Sequence, residues 1–120
     1  MGRTSQRKGR TAELEVVKIF QAHGIDAKPG DPASYGSTPD VTNIPFIHPE
    51  IKRCEQVRLT AWMQQAVHDA EKFNDGMPTI FHRRNRQEWL CTMRLSDWLE
   101  LYARATSSCK CGGGCCQNEK

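Results

Sequence analysis

The 120-residue chain has no apolar run approaching the roughly 20 residues that cross a bilayer, so no membrane-spanning helix is expected. Its first residues, Met1-Gly2-Arg3-Thr4-Ser5-Gln6-Arg7-Lys8, lack the apolar core of a secretory signal, which makes the cytoplasm the expected compartment. No internal repeat is visible, which sets aside solenoids and propellers. Cysteine is scarce over most of the length. Of six, Cys109, Cys111, Cys115 and Cys116 crowd the last twelve residues, and only Cys54 and Cys91 stand elsewhere. A secreted disulfide framework would spread its cysteines through the fold, so that class is excluded too. Acids are missing before Glu13, whereas Arg3, Arg7, Lys8 and Arg10 all precede it.

What is present fits one small domain. With 38% hydrophobic and 26% charged residues, the composition is that of a soluble globular chain, long enough for one core and too short for two. The expected division is a basic arm at 1–8, a folded domain at 9–105 and a Cys/Gly-rich tail at 106–120 that cannot build a core. The net charge of +3 is modest but clustered, at the N-terminus, at Lys52, Arg53 and Arg58, and at Arg83, Arg84 and Arg86. Such clusters suit a polyanion whose phosphates release counterions on binding. The tail cysteines Cys109, Cys111, Cys115 and Cys116 lie in a Gly-rich stretch with no folded knuckle to hold them, which argues against Zn²⁺ there.

Periodicity predicts the elements in order. Leu14, Val17 and Ile19/Phe20 recur at helical steps between Arg10 and His23, with Gly9 favouring a start near Arg10 and Gly24 a stop. Residues 25–28 read as a short strand, and 29–39, dense in Pro, Gly and Ser, as a loop. Residues 40–43 and 46–53 read as strands, the second confined by Pro49 to a sheet edge or a bulge. A helix is expected over Leu59–Phe73, with Thr60 as candidate N-cap and Met63, Ala66, Val67 and Ala70 on its buried face. Residues 77–81 and 89–93 form a predicted hairpin across the turn His82–Gln87. A last helix starts near Ser96 and carries the apolar stripe Leu95, Trp98, Leu99 and Tyr102. The order αβββαββα predicts an α/β (α+β) sandwich around a small mixed sheet.

One stretch concentrates chemistry. Asp40, after Pro39, opens an apolar run, and Glu50 and Lys52 follow at period-two spacing, which in a strand points both to one face. Two carboxylates beside an ammonium suit a divalent metal acting on a phosphodiester. Asp40 and Glu50 would supply hard oxygens, with the backbone carbonyl of Ile51 as a further ligand. Lys52 would neutralise charge at the phosphate.

Lys8-Gly9-Arg10-Thr11-Ala12-Glu13, Pro39-Asp40, Glu50-Ile51-Lys52 and Gln65 together resemble the PD-(D/E)xK nuclease superfamily, and within it the small Holliday junction resolvases of archaea and phages. The likeness spans about residues 7–103 and rests on order and spacing, since each motif alone is common. It implies a restriction-endonuclease-like fold and a Mg²⁺-dependent endonuclease, with Mn²⁺ as substitute, that nicks branched or duplex DNA as a homodimer. A phage origin would place it in the host cytoplasm and in recombination or packaging. The resemblance implies that Glu13 completes the metal shell, with Glu15 its rival, and that Gln65, with Gln64 adjacent, orients the phosphate or Lys52. Ser37, like Ser34, stands where related resolvases carry a phosphate-contacting serine. Arg7, Lys8, Arg10, Arg53, Arg83, Arg84 and Arg86 are the candidate DNA contacts. His82 reads as structural, because Mg²⁺ prefers oxygen. Two other readings stand beside the resolvase: a restriction-type or duplex-end nuclease of the same fold, and a non-catalytic nucleic-acid-binding module on an inactivated nuclease fold.

Overall fold

A computed structural model describes residues 2–30 and 40–107, with side chains described from Arg10 onward. The elements follow as α1 (Gly2–Ala22), β1 (Lys28–Pro29), β2 (Val41–Thr42), β3 (Ile47–Arg53), α2 (Leu59–Phe73), β4 (Met77–Arg83), β5 (Leu90–Met93) and α3 (Leu95–Ser107). The protein is a mixed α+β chain whose main sheet has the order β3-β4-β5, parallel between β3 and β4 and antiparallel between β4 and β5. β1 and β2 make a separate two-residue antiparallel pair. Among the described residues, β3 pairs with β4 alone. Pro49 therefore sits on an edge strand, where its missing N–H breaks no ladder.

The two faces of the sheet are covered by different helices. Ile51 and Phe81 turn to the α1 side, joining Ala12, Val16, Val17, Phe20, Ala27 and Val41; Phe20 meets Phe81 edge-on at 5.2 Å. Ile80 turns the other way, onto Trp62 and Ala66 of α2. Alternation along β3 and β4 thus assigns odd positions to α1 and even positions to α2. The site residues on β3 inherit their direction from that rule.

Several boundaries differ from expectation. α1 begins at Gly2 rather than near Arg10, so Gly9 is carried inside a helix; one glycine costs about 1 kcal/mol, which a 21-residue helix with a buried face absorbs. The buried stripe of α1 is Ala12, Val16, Val17 and Phe20, while Leu14 and Ile19 are each 38% exposed. α2 has the expected limits, but Arg58 precedes it without a side-chain cap and Thr60 lies inside the first turn. Its buried face is Trp62, Ala66 and Ala70, with Met63 and Val67 at the margin; the small alanines let the helix sit close on β4. Asn74 ends the helix in the left-handed conformation, its N–H donating to the Ala70 carbonyl. Gly76 follows with φ +142°, and a Cβ there would stand 2.5 Å from the backbone of Phe46 and Ile47, so only glycine fits where β3 and β4 begin side by side. Ser96 lies within α3, which starts one residue earlier, at Leu95. The stripe of α3 is not core: Leu95, Trp98, Leu99 and Tyr102 are all exposed, with Trp98 and Tyr102 stacked on one another.

Candidate metal centre

The even face of β3 carries His48, Glu50 and Lys52 in succession, so Glu50 and Lys52 share a face as the period-two spacing predicts. Glu50 is buried and Lys52 half-buried. Asp40 lies at the open edge beside them. Burial pushes its carboxyl pKa up, the nearby Glu50 carboxylate pushes it further, and Lys52 and His48 pull against the rise. α1 brings in Glu13, one position past Ala12 of the buried stripe. Its pKa is raised to about 7, first by burial and then by Asp40, with Arg10 opposing. Arg10 stands 3.6 Å from Glu13 and donates to the Gly30 carbonyl at 3.0 Å. Asp40 thus lies within electrostatic reach of Glu13 on one side and of Glu50 and Lys52 on the other. A set of hard oxygens short of positive charge suits a divalent cation.

Glu15, the alternative to Glu13, is engaged elsewhere. Arg83 donates to both of its carboxylate oxygens at 3.2 Å, and the Trp89 indole N–H donates to it at 3.3 Å. Arg83 also lies over the Trp89 ring, 5.4 Å from its centroid. Position 83 is odd in β4 and turns inward to α1, where Glu15 and Trp89 engage the Arg83 guanidinium at the edge of the core. Arg84 and Arg86 remain exposed in the β4–β5 turn, Arg86 in a left-handed conformation with φ 62°. Arg53 is half-buried, its guanidinium near the side chain of Asn85 at 3.4 Å. The side chains of Arg7 and Lys8, together with Ser34, Ser37, Pro39 and the Cys109–Cys116 tail, lie outside the described residues. Cys54 and Cys91 are free thiols.

On α2, Gln64 and Gln65 separate. Gln64 lines an apolar groove with Leu59, Met63 and Val67, away from the carboxylates. Gln65 is exposed and lies one turn before Asp69, whose charge reaches Asp40. His82 is buried against Trp62, with ring centroids 5.7 Å apart, and bonds the Thr92 hydroxyl at 2.9 Å. Burial lowers its pKa, and the structural reading of this histidine agrees with that place.

Two residues that the sequence reading passed over belong to the centre. Asp69 projects from α2 toward Glu50, and one ligand atom from each of His48, Glu50 and Asp69 falls within 4.8 Å of the others. His48 is 1% exposed, with Nδ1 at 2.8 Å from Asp75 and Nε2 at 3.2 Å from Glu50. Burial opposes protonation of this ring, but the hydrogen bonds and charges of Glu50 and Asp75 outweigh it and raise its pKa. The available signals were the period-two series His48, Glu50, Lys52 and the four-residue step from Gln65 to Asp69.

Among the described residues, no helix is long and apolar enough to cross a membrane. Comparison of the chain with protein-family models gives no match, and no curated protein matches it.

Proposed function

We propose that the protein is a divalent-metal-dependent endonuclease that hydrolyses phosphodiesters in DNA, with branched DNA such as four-way junctions as its substrate class. The observation that carries this reading is Asp40 standing within electrostatic reach of Glu13 on one side and of Glu50 and Lys52, which share one face of β3, on the other. Carboxylates are rarely crowded in a half-dry site without a cation or a proton to relieve them. Asp40, Glu50, Glu13 and the Ile51 carbonyl are the oxygens that would hold the cation, Mg²⁺ or Mn²⁺. When bound, it supplies Lewis acidity at a phosphoryl oxygen and a more acidic water.

Lys52 acts as a fixed positive charge. Half-buried beside the acids, it stabilises the charge that grows on a pentavalent phosphorus centre without needing to lose a proton. Gln65, exposed on α2 one turn before Asp69, is the residue that would hydrogen-bond a phosphate oxygen. Arg10, Arg53, Arg84 and Arg86 are the described cations suited to flanking phosphates, which position a duplex arm without reading its bases. The exposed stripe of α3 is the surface on which we place a homodimer contact, since a four-way junction has near-twofold symmetry and needs two cuts.

The test is cleavage of a synthetic four-way junction by the full chain in Mg²⁺ and in Mn²⁺, with a linear duplex of the same sequence as control. Junction nicking that Glu50→Gln abolishes, with binding retained, supports the proposal. Equal cutting of the linear duplex would move the substrate to duplex DNA, and binding without cutting in either ion would replace the enzyme by a nucleic-acid-binding module.

A further inference from the structure

The oxygen-only centre leaves His48 unexplained. This imidazole is almost fully enclosed, and both of its nitrogens face carboxylate oxygens: Asp75 at 2.8 Å on Nδ1 and Glu50 at 3.2 Å on Nε2. Asp75 is the closer and more accessible partner, and its carboxylate selects the tautomer with the proton on Nδ1. The Nε2 lone pair then points at Glu50. Two acceptor atoms at that distance need a positive charge between them, either a proton or a metal ion. A proton serves two atoms; a metal ion serves several. The third ligand atom is there, an oxygen of Asp69 on α2, within the 4.8 Å that encloses one ligand atom of each residue.

We infer that His48, Glu50 and Asp69 form a mixed nitrogen–oxygen site for a divalent first-row transition ion, with Asp75 holding the imidazole from behind. The dimensions suit it. With metal–ligand bonds of about 2.1 Å, neighbouring ligands of an octahedral ion stand about 3 Å apart and opposite ones about 4.2 Å apart. The Nε2–Glu50 separation of 3.2 Å already matches a neighbouring pair. A histidine held on its far nitrogen by a carboxylate is the usual support for a ligating imidazole, since it fixes the ring and makes the free nitrogen more basic.

The fold builds this site from three directions. β3 supplies His48 and Glu50 two positions apart on one face, α2 supplies Asp69 from above, and the turn after α2 supplies Asp75. Imidazole suits Fe²⁺, Ni²⁺, Cu²⁺ and Zn²⁺ best, and Mn²⁺, the lowest of the first-row series, still accepts it more readily than Mg²⁺, which dehydrates reluctantly and prefers oxygen. The inference deepens the nuclease reading, on which it rests for placing a cation at Glu50. It adds a nitrogen ligand and a metal preference that the Asp40–Glu50 pair alone does not supply.

The probe is Mn²⁺ alone, added to the full chain without DNA. Pulsed electron paramagnetic resonance on the wild type reads whether a nitrogen nucleus couples to the bound ion, and calorimetry gives affinities for Mn²⁺ and Mg²⁺. Expected are a ¹⁴N coupling that His48→Gln removes, a Mn²⁺ affinity that falls by about tenfold or more in that variant, and a Mg²⁺ affinity that changes by less than about threefold. Because His48→Gln leaves Asp75 and Glu50 facing a new side chain, Asp69→Asn, at a half-buried position, provides a second variant, expected to weaken Mn²⁺ similarly while keeping the ¹⁴N coupling. Bound Mn²⁺ with oxygen ligands only, or a ¹⁴N coupling unchanged in His48→Gln, overturns the inference. Nitrogen-ligated Mn²⁺ in a protein that cuts no DNA supports the site and removes the nuclease reading. DNA cleavage with an oxygen-only Mn²⁺ does the reverse.

Discussion

Replacing Glu13 by Gln should make the protein more stable at pH 8. Glu13 has its pKa raised from 4.5 to about 7 by burial and by the neighbouring Asp40. Its carboxyl keeps a proton in the folded state at pH values where the unfolded chain has released it. The stabilisation from that proton is complete below about pH 4.5 and is lost as pH rises through 7, so the ionised site is a strained one at pH 8. A rise of about 2.5 units corresponds to about 3 kcal/mol at 1.36 kcal/mol per unit. Loss of the 3.6 Å contact with Arg10, and the residual exposure of the pair, bring the expected gain to about 1–2 kcal/mol. Urea denaturation of wild type and Glu13→Gln at pH 8 and pH 4.5, without metal, measures it. The gap should be present at pH 8 and nearly closed at pH 4.5. A variant less stable at pH 8, or a gap independent of pH, would refute the claim that these carboxylates are crowded. Saturating Mg²⁺ should stabilise wild type more than the variant, because the cation relieves the same repulsion.

Other expectations follow from the packing. Gly76→Ala should cost at least about 2 kcal/mol in urea denaturation, since it joins a forbidden φ to a backbone clash at 2.5 Å. Ile80→Ala should cost about 2–5 kcal/mol by the same measurement, being fully buried in the middle of β4 between its neighbours and α2. The pair Arg83→Met and Glu15→Gln should show a coupling energy of about 1 kcal/mol or more in a double-mutant cycle, while each leaves the salt dependence of DNA binding unchanged. Arg84→Ala, by contrast, should flatten that salt dependence by about one unit of slope without changing stability.

What the sequence made legible followed periodicity. Leu59–Phe73 was readable as a helix with its limits, because apolar residues recur at helical spacing up to the Asn74-Asp75-Gly76 stop. The element order and the shared face of Glu50 and Lys52 were readable for the same reason. The rest depended on long-range partners. Arg83 resembled a surface cation beside Arg84 and Arg86, and only the α1 packing reveals that Glu15 and Trp89 claim it. Leu14 and Ile19 fit a helical stripe as well as Ala12 and Val16 do, and the sheet selects the latter. The stripe of α3 has core-like composition, yet it lies on the surface, because composition does not say which face finds a partner. His48 escaped notice because its meaning lies in Asp75, 27 residues away, and in Asp69 on another element.

If the acids at the edge of β3 work as one cation-holding centre for phosphodiester hydrolysis, neutralising one of them should stop cleavage and leave binding intact. Single-turnover cleavage of a four-way junction in Mg²⁺ by wild type and Asp40→Asn, alongside junction affinity without metal, tests it most directly. Expected for Asp40→Asn is a fall in cleavage rate of at least about 100-fold with affinity preserved within a few fold. Undiminished cleavage by Asp40→Asn, or no cleavage by a wild-type protein that binds the junction, would contradict it.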